Sequence, residues 1–249
     1  MLHRFLLLVL LTLATPPALA DALKVGVSPD YPPLAFQQDG RIMGIEADNV
    51  RAVSEVIGRQ MKLVPMPFDK LLPALLAGQI DVIMSGFSVT EERARQVSFS
   101  DPYMRMGQMA IMHKDKVARF AQPWSVSREG VRIGVEPGTT GAAFAEKELK
   151  DAEIAYYSDA AAAFEGLRKD QIDLYIHDAP TSWLLATTSE NSDLISLYSP
   201  LTDEMLAWAV RKDDDALLAE LNRALGLMKQ NGSLRYILNR WIPVTVEVR

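Results

Sequence analysis

Short apolar stretches alternate with amphipathic stretches along most of the chain, a pattern typical of strands separated by helices. The first half predicts, in order, a strand over Lys24–Val27, a helix over Glu46–Gln60, a strand over Met61–Pro65, a helix over Lys70–Ala77 and a strand over Ile80–Ser85. We expect Asp69 to cap the second helix and Gly78 to end it. Because helices of this length connect parallel strands, the pattern predicts an α/β fold with covered sheets.

A weak internal repeat divides the chain into two halves. The segment LKVGVSP (23–29) recurs as VRIGVEP (131–137), with the order apolar, basic, apolar, Gly, Val, variable, Pro. Further along, LLAGQIDVIM (75–84) recurs as LRKDQIDLYI (167–176), with Gln-Ile-Asp unchanged. Two repeats in the same order predict two related lobes.

The second half continues the same succession of elements. It predicts a helix over Ala142–Lys150, a strand at Tyr156–Tyr157, a helix over Ala160–Lys169 capped by Asp159, and two C-terminal helices over Asp214–Gln230 and 233–242. In the last helix we expect Tyr236, Ile237 and Trp241 to face the core.

Four loops lie at the carboxyl ends of predicted strands. They are Ser28–Pro33, Ser85–Thr90, Glu136–Gly141 and His177–Pro180. Ligands of open α/β sheets bind beyond the carboxyl ends of the strands. If the two lobes face each other, the four loops meet in one interlobe cleft.

The first twenty residues have the pattern of a secretory signal peptide. Arg4 precedes an apolar run over Phe5–Leu13, and Ala18-Leu19-Ala20 forms a cleavage signal. The run is shorter than the roughly 20 residues that a membrane span needs. The chain has no cysteine, so no lipid-attachment site or disulfide is expected. We expect an exported protein, which in a bacterium with two membranes lies in the periplasm.

Charge and composition argue against several other classes. The formal net charge is −6 and basic residues do not cluster, which argues against binding to nucleic acid or to anionic membranes. With three histidines, one of them in the leader, and no cysteine, no zinc cluster is expected. No G-x-S-x-G motif is present. We therefore expect neither a metal nor a cofactor.

Four segments carry a resemblance to a known family. In this order, PDYPPLAF, GIEADNVRAVSEVIG, FDKLLPALLAGQIDVIMSGFSVTEERARQVSFSDPYM and QIDLYIHDAP resemble the amino-acid-type (family 3) periplasmic solute-binding proteins of ABC importers. The glutamine-binding and lysine/arginine/ornithine-binding proteins are members of that family. The resemblance implies a monomer that delivers a small ligand to ABC permease subunits in the membrane.

The resemblance also implies a fold. It is the type II periplasmic-binding-protein fold, in which two α/β lobes joined by two strand crossovers hinge around a ligand in the cleft. The crossovers are expected near Tyr103–Ile111 and Tyr198–Glu204. Lobe 1 is then discontinuous, with residues 21–107 and 203–249, and lobe 2 takes residues 108–202.

Two charged residues carry the expected grip on the ligand. By resemblance, Arg93 holds the α-carboxylate of an amino acid, as a guanidinium can with two hydrogen bonds, and Asp178 binds the α-ammonium. From the residues alone, an exposed Arg93 side chain paired with Glu91 or Glu92 is the favoured interpretation. Asp178 is likewise compatible with a helix N-cap.

Other candidate site residues lie in the same four loops. The resemblance places Thr139 and Thr140 beside the ligand, gives Tyr31 and Phe68 to its aliphatic part, and adds Ser85, Gly86, Ser88, Glu136 and His177. Gly86 permits close approach of the backbone, and its carbonyl is an acceptor for a ligand ammonium. Ser88 has the alternative of a plain capping box with Glu91.

Two positions depart from the family patterns. The glutamine-binding pattern has an acid where this chain has Ser28 and a lysine where it has Glu136. The grip on the amino and carboxyl groups is thus retained, while the subsite for the ligand side chain differs.

Alternatives to an importer component remain open. Cyclohexadienyl dehydratases share the fold and take a carboxylate in the same cleft, where Glu136 or His177 would serve as the general acid. A solute-sensing protein would use the same site. We favour a binding protein that is not an enzyme.

Overall fold

The structure is a computed structural model that describes residues 22–120, 122–197 and 199–242. The expected signal peptide and its cleavage site lie outside these residues. The strands are β1 (Leu23–Val27), β2 (Asp30–Tyr31), β3 (Ala35–Gln38), β4 (Arg41–Met43), β5 (Met61–Pro65), β6 (Val82–Ile83), β7 (Val97–Phe99), β8 (Met104–Met106), β9 (Gln108–His113), β10 (Arg132–Val135), β11 (Glu153–Tyr156), β12 (Leu174–Asp178), β13 (Leu194–Ser196), β14 (Glu204–Leu206) and β15 (Ala209–Arg211).

The α-helices cover both lobes and differ from the predicted helices mainly at their ends. They are α1 (Ile45–Ile57), α2 (Phe68–Leu76), α3 (Glu91–Ala94), α4 (Val117–Phe120), α5 (Thr140–Glu148), α6 (Ala160–Arg168), α7 (Ala179–Thr187), α8 (Asp215–Asn231) and α9 (Ser233–Trp241). No helix among the described residues is both long enough and apolar enough to cross a bilayer.

Two five-stranded sheets form the two lobes, and the predicted two-lobed α/β fold is confirmed. The sheet of lobe 1 has the order β5-β1-β6-β15-β7, and the sheet of lobe 2 has the order β11-β10-β12-β9-β13. In lobe 1, β1 runs parallel to β5 and β6, and in lobe 2, β10 runs parallel to β11 and β12. The repeated segments therefore occupy equivalent places.

Each sheet separates two apolar clusters, as expected for sheets that are covered on both faces. In lobe 1, α1, α8 and α9 cover one face around Trp208 and Leu225, while α2 covers the other around Leu71 and Leu75. In lobe 2, residues around Ile133 form one cluster, and α6 contributes to the second. The sheets are thus rigid supports for the loops at their strand ends.

A short two-stranded ribbon joins the lobes. Strands β8 and β14 pair antiparallel, with Met106 opposite Glu204. The chain passes from β8 into β9 of lobe 2, and from β14 into β15 of lobe 1. Strand β9 pairs antiparallel with β12, and β15 pairs antiparallel with β6. The boundaries expected at 107/108 and 202/203 stay a prediction, and Tyr198 lies outside the described residues.

The shared Gln-Ile-Asp segment has a structural role in both lobes. The carboxylate of Asp81 accepts a hydrogen bond of 2.8 Å from the backbone N–H of Lys24, and that of Asp173 accepts one of 3.0 Å from the N–H of Arg132. Each aspartate thus fastens the start of the first strand of its repeat. Lobe 2 adds further cations around Asp173, namely Lys116 at 2.6 Å and the Arg132 guanidinium at 2.9 Å.

Two local predictions are wrong. Asp69 does not cap α2, because the helix already begins at Phe68 with Pro67 at the N-cap position, and the Asp69 carboxylate pairs with Lys70 at 2.7 Å instead. Tyr236 does not face the core, since 71% of its surface is exposed. The predicted cap at Asp159 is confirmed, because its carboxylate accepts from the N–H of Ala162.

The cation cluster around Asp173 predicts a large difference between two neighbouring aspartates. The Asp173 side chain is 1% exposed, whereas the Asp170 side chain, which pairs with the same Lys116 and Arg132, is 71% exposed. Asp173→Asn should lower the free energy of unfolding by about 2–4 kcal/mol, because it leaves partly buried cations without their counter-charge. Asp170→Asn should cost less than about 1 kcal/mol.

Urea unfolding of the mature chain measures both values. Asp170→Asn is a fair control because Asp170 has a positive φ of 54°, a conformation that asparagine tolerates. Equal losses for the two variants would contradict a buried role for Asp173.

Candidate functional site

A cleft lined by residues of both lobes lies between the two sheets. Its walls are Ser28, Asp30, Tyr31, Phe68, Gly86, Ser88, Arg93, Gln108, Glu136, Thr139, Thr140, Ile176, His177 and Asp178. All four predicted loops contribute to it. Of the predicted site residues, Ser85 alone is not a wall of this cleft: its buried hydroxyl accepts a hydrogen bond of 2.9 Å from the N–H of Ser28 and so joins two strand ends.

Arg93 is the buried cation of the cleft, with 9% of its surface exposed. Its guanidinium donates at 2.9 Å to the carbonyl of Ser88 in lobe 1 and at 2.9 Å to the carbonyl of Gly138 in lobe 2. The guanidinium carbon lies 4.0 Å from the centre of the Phe87 ring and 5.7 Å from that of Phe68. Packing against aromatic faces fixes a guanidinium without neutralising it.

The alternative of an exposed, paired Arg93 is wrong. Burial lowers the pKa of Arg93 to about 10, and the charges of Glu204 and Glu92 counteract that effect only in part. Within the described parts of the chain, no carboxylate lies within salt-bridge distance of the guanidinium. The solvated arginine of α3 is instead Arg95, whose side chain is 77% exposed and lies 3.9 Å from Glu91. Arg93 can therefore accept the carboxylate of a ligand.

The alternative capping box is also wrong. The hydroxyl of Thr90 accepts the hydrogen bond from the N–H of Arg93 at 3.1 Å and so caps α3. Ser88 contributes its carbonyl to Arg93 and forms an isolated β-bridge with Leu206. The cap thus fixes the start of the helix that carries the arginine.

Asp178 is the buried acid on the other side of the cleft. It holds the N-cap position of α7 but makes no capping hydrogen bond, so the N-cap alternative is wrong for its side chain. Its carboxylate accepts instead from the side-chain amide of Gln108, which is itself 1% exposed. Burial, assisted by the charge of Glu204, raises the pKa of Asp178 well above its usual range. A ligand ammonium at this position would stabilise the ionised form.

A network of hydroxyls links Asp178 to the ribbon between the lobes. Thr140 donates at 2.7 Å to the Glu204 carboxylate and accepts at 3.1 Å from the Gln108 amide. Thr202 donates to the other oxygen of Glu204 at 2.6 Å and accepts from the N–H of Gln108 at 2.9 Å. The hydroxyl of Thr139 caps α5. The Asp178 side of the cleft is thus tied directly to β14.

Glu136 lies in a pocket of the lobe 2 wall with a side chain that is 15% exposed. Its carboxylate accepts a hydrogen bond from the Tyr175 hydroxyl and lies 3.6 Å from His177. Burial, together with the charges of Asp30 and Asp159, raises the pKa of Glu136 to about 7. Burial lowers the pKa of His177 to about 4, so the imidazole is neutral at pH 7 and forms no ion pair with Glu136.

Aromatic rings form the apolar walls of the cleft. Tyr31 meets Phe68 edge-on at a centroid distance of 6.2 Å and meets His177 of lobe 2 at 5.1 Å. Tyr31 follows Asp30, whose carboxylate accepts at 2.6 Å from the hydroxyl of Ser28. The rings thus bring the two lobes into contact at this wall of the cleft.

Gly86 is required by its surroundings. Its φ is +60°, and a Cβ added there would lie 2.8 Å from the Tyr31 ring. Any other residue would therefore be strained and would displace Tyr31. Its N–H donates at 2.9 Å to the carboxylate of Glu46 from α1.

Glu46 anchors this part of the cleft from behind. The fully buried carboxylate accepts from the N–H of Gly86, from the Tyr103 hydroxyl at 2.6 Å, from Asn49 at 3.2 Å and from the Trp208 indole at 3.3 Å. Burial raises the pKa of Glu46, although each of these hydrogen bonds favours the ionised form. The carboxylate thus holds the cleft loop against residues next to β8 and β14.

Sequence reasoning missed four polar side chains that build the site. They are Asp30, Glu46, Gln108 and Glu204. Asp30 lies inside a predicted loop, one residue from the candidate Tyr31, so its position was available as a signal. The other three lie in a helix turn or in the crossover strands, for which periodicity predicts only packing.

The four donors around Glu46 predict that its amide analogue is not tolerated. Glu46→Gln would turn an N–H₂ group toward at least two hydrogen-bond donors, so the free energy of unfolding should fall by about 2–4 kcal/mol. Glu55→Gln is the matched control, since Glu55 is an exposed residue of the same helix, and it should change stability by less than about 0.5 kcal/mol. Thermal and urea unfolding measure both; a neutral Glu46→Gln would contradict the anchoring role.

Known proteins match this arrangement over nearly its whole length. Residues 23–244 match the bacterial extracellular solute-binding proteins, family 3. The chain is 31% identical over 232 residues to the ABC transporter arginine-binding protein 1 of Escherichia coli, covering 90% of this chain and 92% of that protein. It is 28% identical over 224 residues to a cyclohexadienyl dehydratase of Pseudomonas aeruginosa, covering 90% of this chain and 83% of the dehydratase.

Solved structures also match the fold of this chain. A crystal structure of a mutant of ArgBP from T. maritima has a TM-score of 0.82 with this chain at 32% identity, covering 90% of this chain and 96% of that one. Both comparisons cover the two sheets, the ribbon and all four cleft loops. The chain belongs to family 3 of the bacterial extracellular solute-binding proteins.

Proposed function

We propose that this chain is the substrate-binding component of an ABC importer and that it takes an amino acid into the interlobe cleft. One observation carries the proposal. Arg93 of lobe 1 and Asp178 of lobe 2 are both buried in the walls of one cleft, and Arg93 has no carboxylate partner among the described residues. The two groups complement the α-carboxylate and the α-ammonium of a zwitterion. The arginine-binding relative named as part of an ABC transporter supports the same function.

Binding is proposed to proceed by closure of the lobes around the β8–β14 ribbon. Arg93 and Asp178 belong to different lobes, so a zwitterion reaches both only when the lobes are closed. A ligand favours the closed form only to the extent that it binds that form better than the open one. The hydroxyl network from Asp178 to Glu204 places the ammonium site directly against the ribbon.

The cellular setting follows from the same proposal. We place the mature protein in the periplasm, after cleavage of the signal peptide predicted at residues 1–20, as a monomer that docks on ABC permease subunits. The lobe boundaries at 107/108 and 202/203 belong to this proposal too. A protein that passes the ligand signal to a sensor would use the same cleft.

We propose no catalytic step, although one relative is a cyclohexadienyl dehydratase. Glu136, with a pKa raised to about 7, has the property of a general acid. The pairing of Arg93 with a buried acid on the opposite wall fits a zwitterion better than a dicarboxylate, because Asp178 would repel a second carboxylate. Formation of phenylpyruvate from prephenate by the purified chain would favour the enzyme.

Arg93→Ala tests the carboxylate site. The cognate amino acid should bind at least about 30-fold more weakly, because truncation of one member of a buried charge pair removes roughly 2–5 kcal/mol. Arg95→Ala, on the same short helix but exposed, should leave the affinity unchanged. Titration calorimetry on refolded protein gives both values, with circular dichroism as the check on folding. Unchanged affinity in Arg93→Ala would rule the clamp out.

Asp178→Asn tests the ammonium site separately. The variant should bind the amino acid at least about 30-fold more weakly, because a charge-assisted hydrogen bond is replaced by a neutral one. Binding of the des-amino carboxylate with the same side chain should change less than about 3-fold. An equal loss for the two ligands would show that Asp178 does not recognise the ammonium group.

A further inference from the structure

Besides Asp178, three further acids lie in or next to the walls of the cleft. Asp30 from lobe 1 and Glu136 from lobe 2 are both walls of the cleft. Asp30 is close enough for its charge to raise the pKa of Glu136, and Asp159, just before α6, acts on Glu136 in the same direction. Three carboxylates from two lobes therefore converge on one end of the cleft.

No cation compensates this group among the described residues. Asp30 and Asp159 have no lysine or arginine partner there: Asp30 accepts from the Ser28 hydroxyl, and Asp159 accepts from the Ser158 hydroxyl and from a helix N–H. The groups facing Glu136 are Asp30, Asp159, the Tyr175 hydroxyl and a neutral His177. Asp173, by contrast, pairs with three cationic side chains.

A second observation at this end of the cleft points to a ligand. His177 lines the cleft with 9% of its surface exposed, yet its buried Nδ1 atom has no hydrogen-bond partner. Buried polar atoms without partners are uncommon in folded proteins. No group of three or more His, Cys, Asp or Glu within the described residues is arranged to hold a metal ion.

We infer that the cleft selects an amino acid whose side chain carries a positive charge, and that this charge lies between Asp30 of lobe 1 and Glu136 of lobe 2. The inference rests on the proposed function and specifies its substrate class. A cationic amino acid then completes the charges of the cleft, with its carboxylate at Arg93, its ammonium at Asp178 and its side chain at the Asp30–Glu136 pair. The aromatic walls of Tyr31 and Phe68 adjoin the aliphatic part.

The Asp30–Glu136 pair also makes closure depend on the ligand charge. Closing the lobes brings two carboxylates from opposite walls together and removes water from Glu136, which is unfavourable without a cation. A cation between them offsets this cost in the closed state and has little effect in the open state. A neutral side chain of the same length lacks that differential affinity, which is what shifts a conformational equilibrium.

Pairs of matched ligands test the selection. Titration calorimetry on the refolded mature chain at pH 7 compares L-arginine with L-citrulline, L-lysine with L-norleucine, and L-ornithine with L-norvaline. In at least one pair the cationic member should bind 30-fold or more tightly, and in no pair should the neutral member bind better. Its binding should also release protons, seen as a heat that varies with buffer ionisation enthalpy, because the cation favours ionised Glu136.

Variants assign the effect to the two acids. Glu136→Gln should reduce the preference for the cationic member to about 3-fold or less and remove the part of the proton release that exceeds the release seen with the neutral member, and Asp30→Asn should reduce the preference as well. Asp30 is exposed, so Asp30→Asn keeps the test valid if Glu136→Gln does not fold. Glu129→Gln, an exposed acid of lobe 2 away from the cleft, should change neither quantity.

The outcomes separate this inference from the function on which it rests. If neutral amino acids bind as tightly as cationic ones, the side-chain inference is wrong while the binding function stands. If a cationic preference persists in both Asp30→Asn and Glu136→Gln, the location is wrong. If no amino acid of any charge binds, the proposed function itself fails.

Discussion

The guanidinium of Arg93 is a permanent charge held largely out of water, and the arrangement of the cleft depends on how that charge is satisfied. Two backbone carbonyls, one from each lobe, occupy some of its donors, and the Phe87 ring covers one face. Carbonyl dipoles satisfy hydrogen bonds but leave the net charge uncompensated. A ligand carboxylate would supply both, and under the proposed function this would couple binding at Arg93 to closure of the two lobes.

The opposite requirement holds behind the cleft, where Glu46 is a buried anion surrounded by hydrogen-bond donors. The same carboxylate contacts the Gly86 loop, the Tyr103 hydroxyl and the Trp208 indole. These last two residues adjoin the strands of the ribbon between the lobes. One carboxylate therefore holds the cleft loop together with residues that flank the ribbon.

The repeat and the family resemblance predicted the two lobes, the four loops and Arg93, because each depends on local pattern. They did not predict Gln108 or Glu204, which reach the site from crossover strands whose pairing is set by distant parts of the chain. Asp69 was misassigned because the helix begins one residue earlier, at Phe68. Tyr236 was misassigned because helical spacing alone does not distinguish the rim of an apolar face from its centre.

The polarity of the strands separates the acids of this protein into two functional classes. Asp173 precedes a strand at its amino end, where backbone N–H groups and cations outweigh burial and lower its pKa. Asp178 and Glu136 follow strands at their carboxyl ends, where burial without a cation raises the pKa of both. All three side chains are carboxylic acids. The cations that stabilise the ionised form are part of the fold around Asp173, whereas none among the described residues plays that role for Asp178 or Glu136. An acid in that condition at a cleft wall is a candidate for a site whose counter-charge is supplied by a ligand.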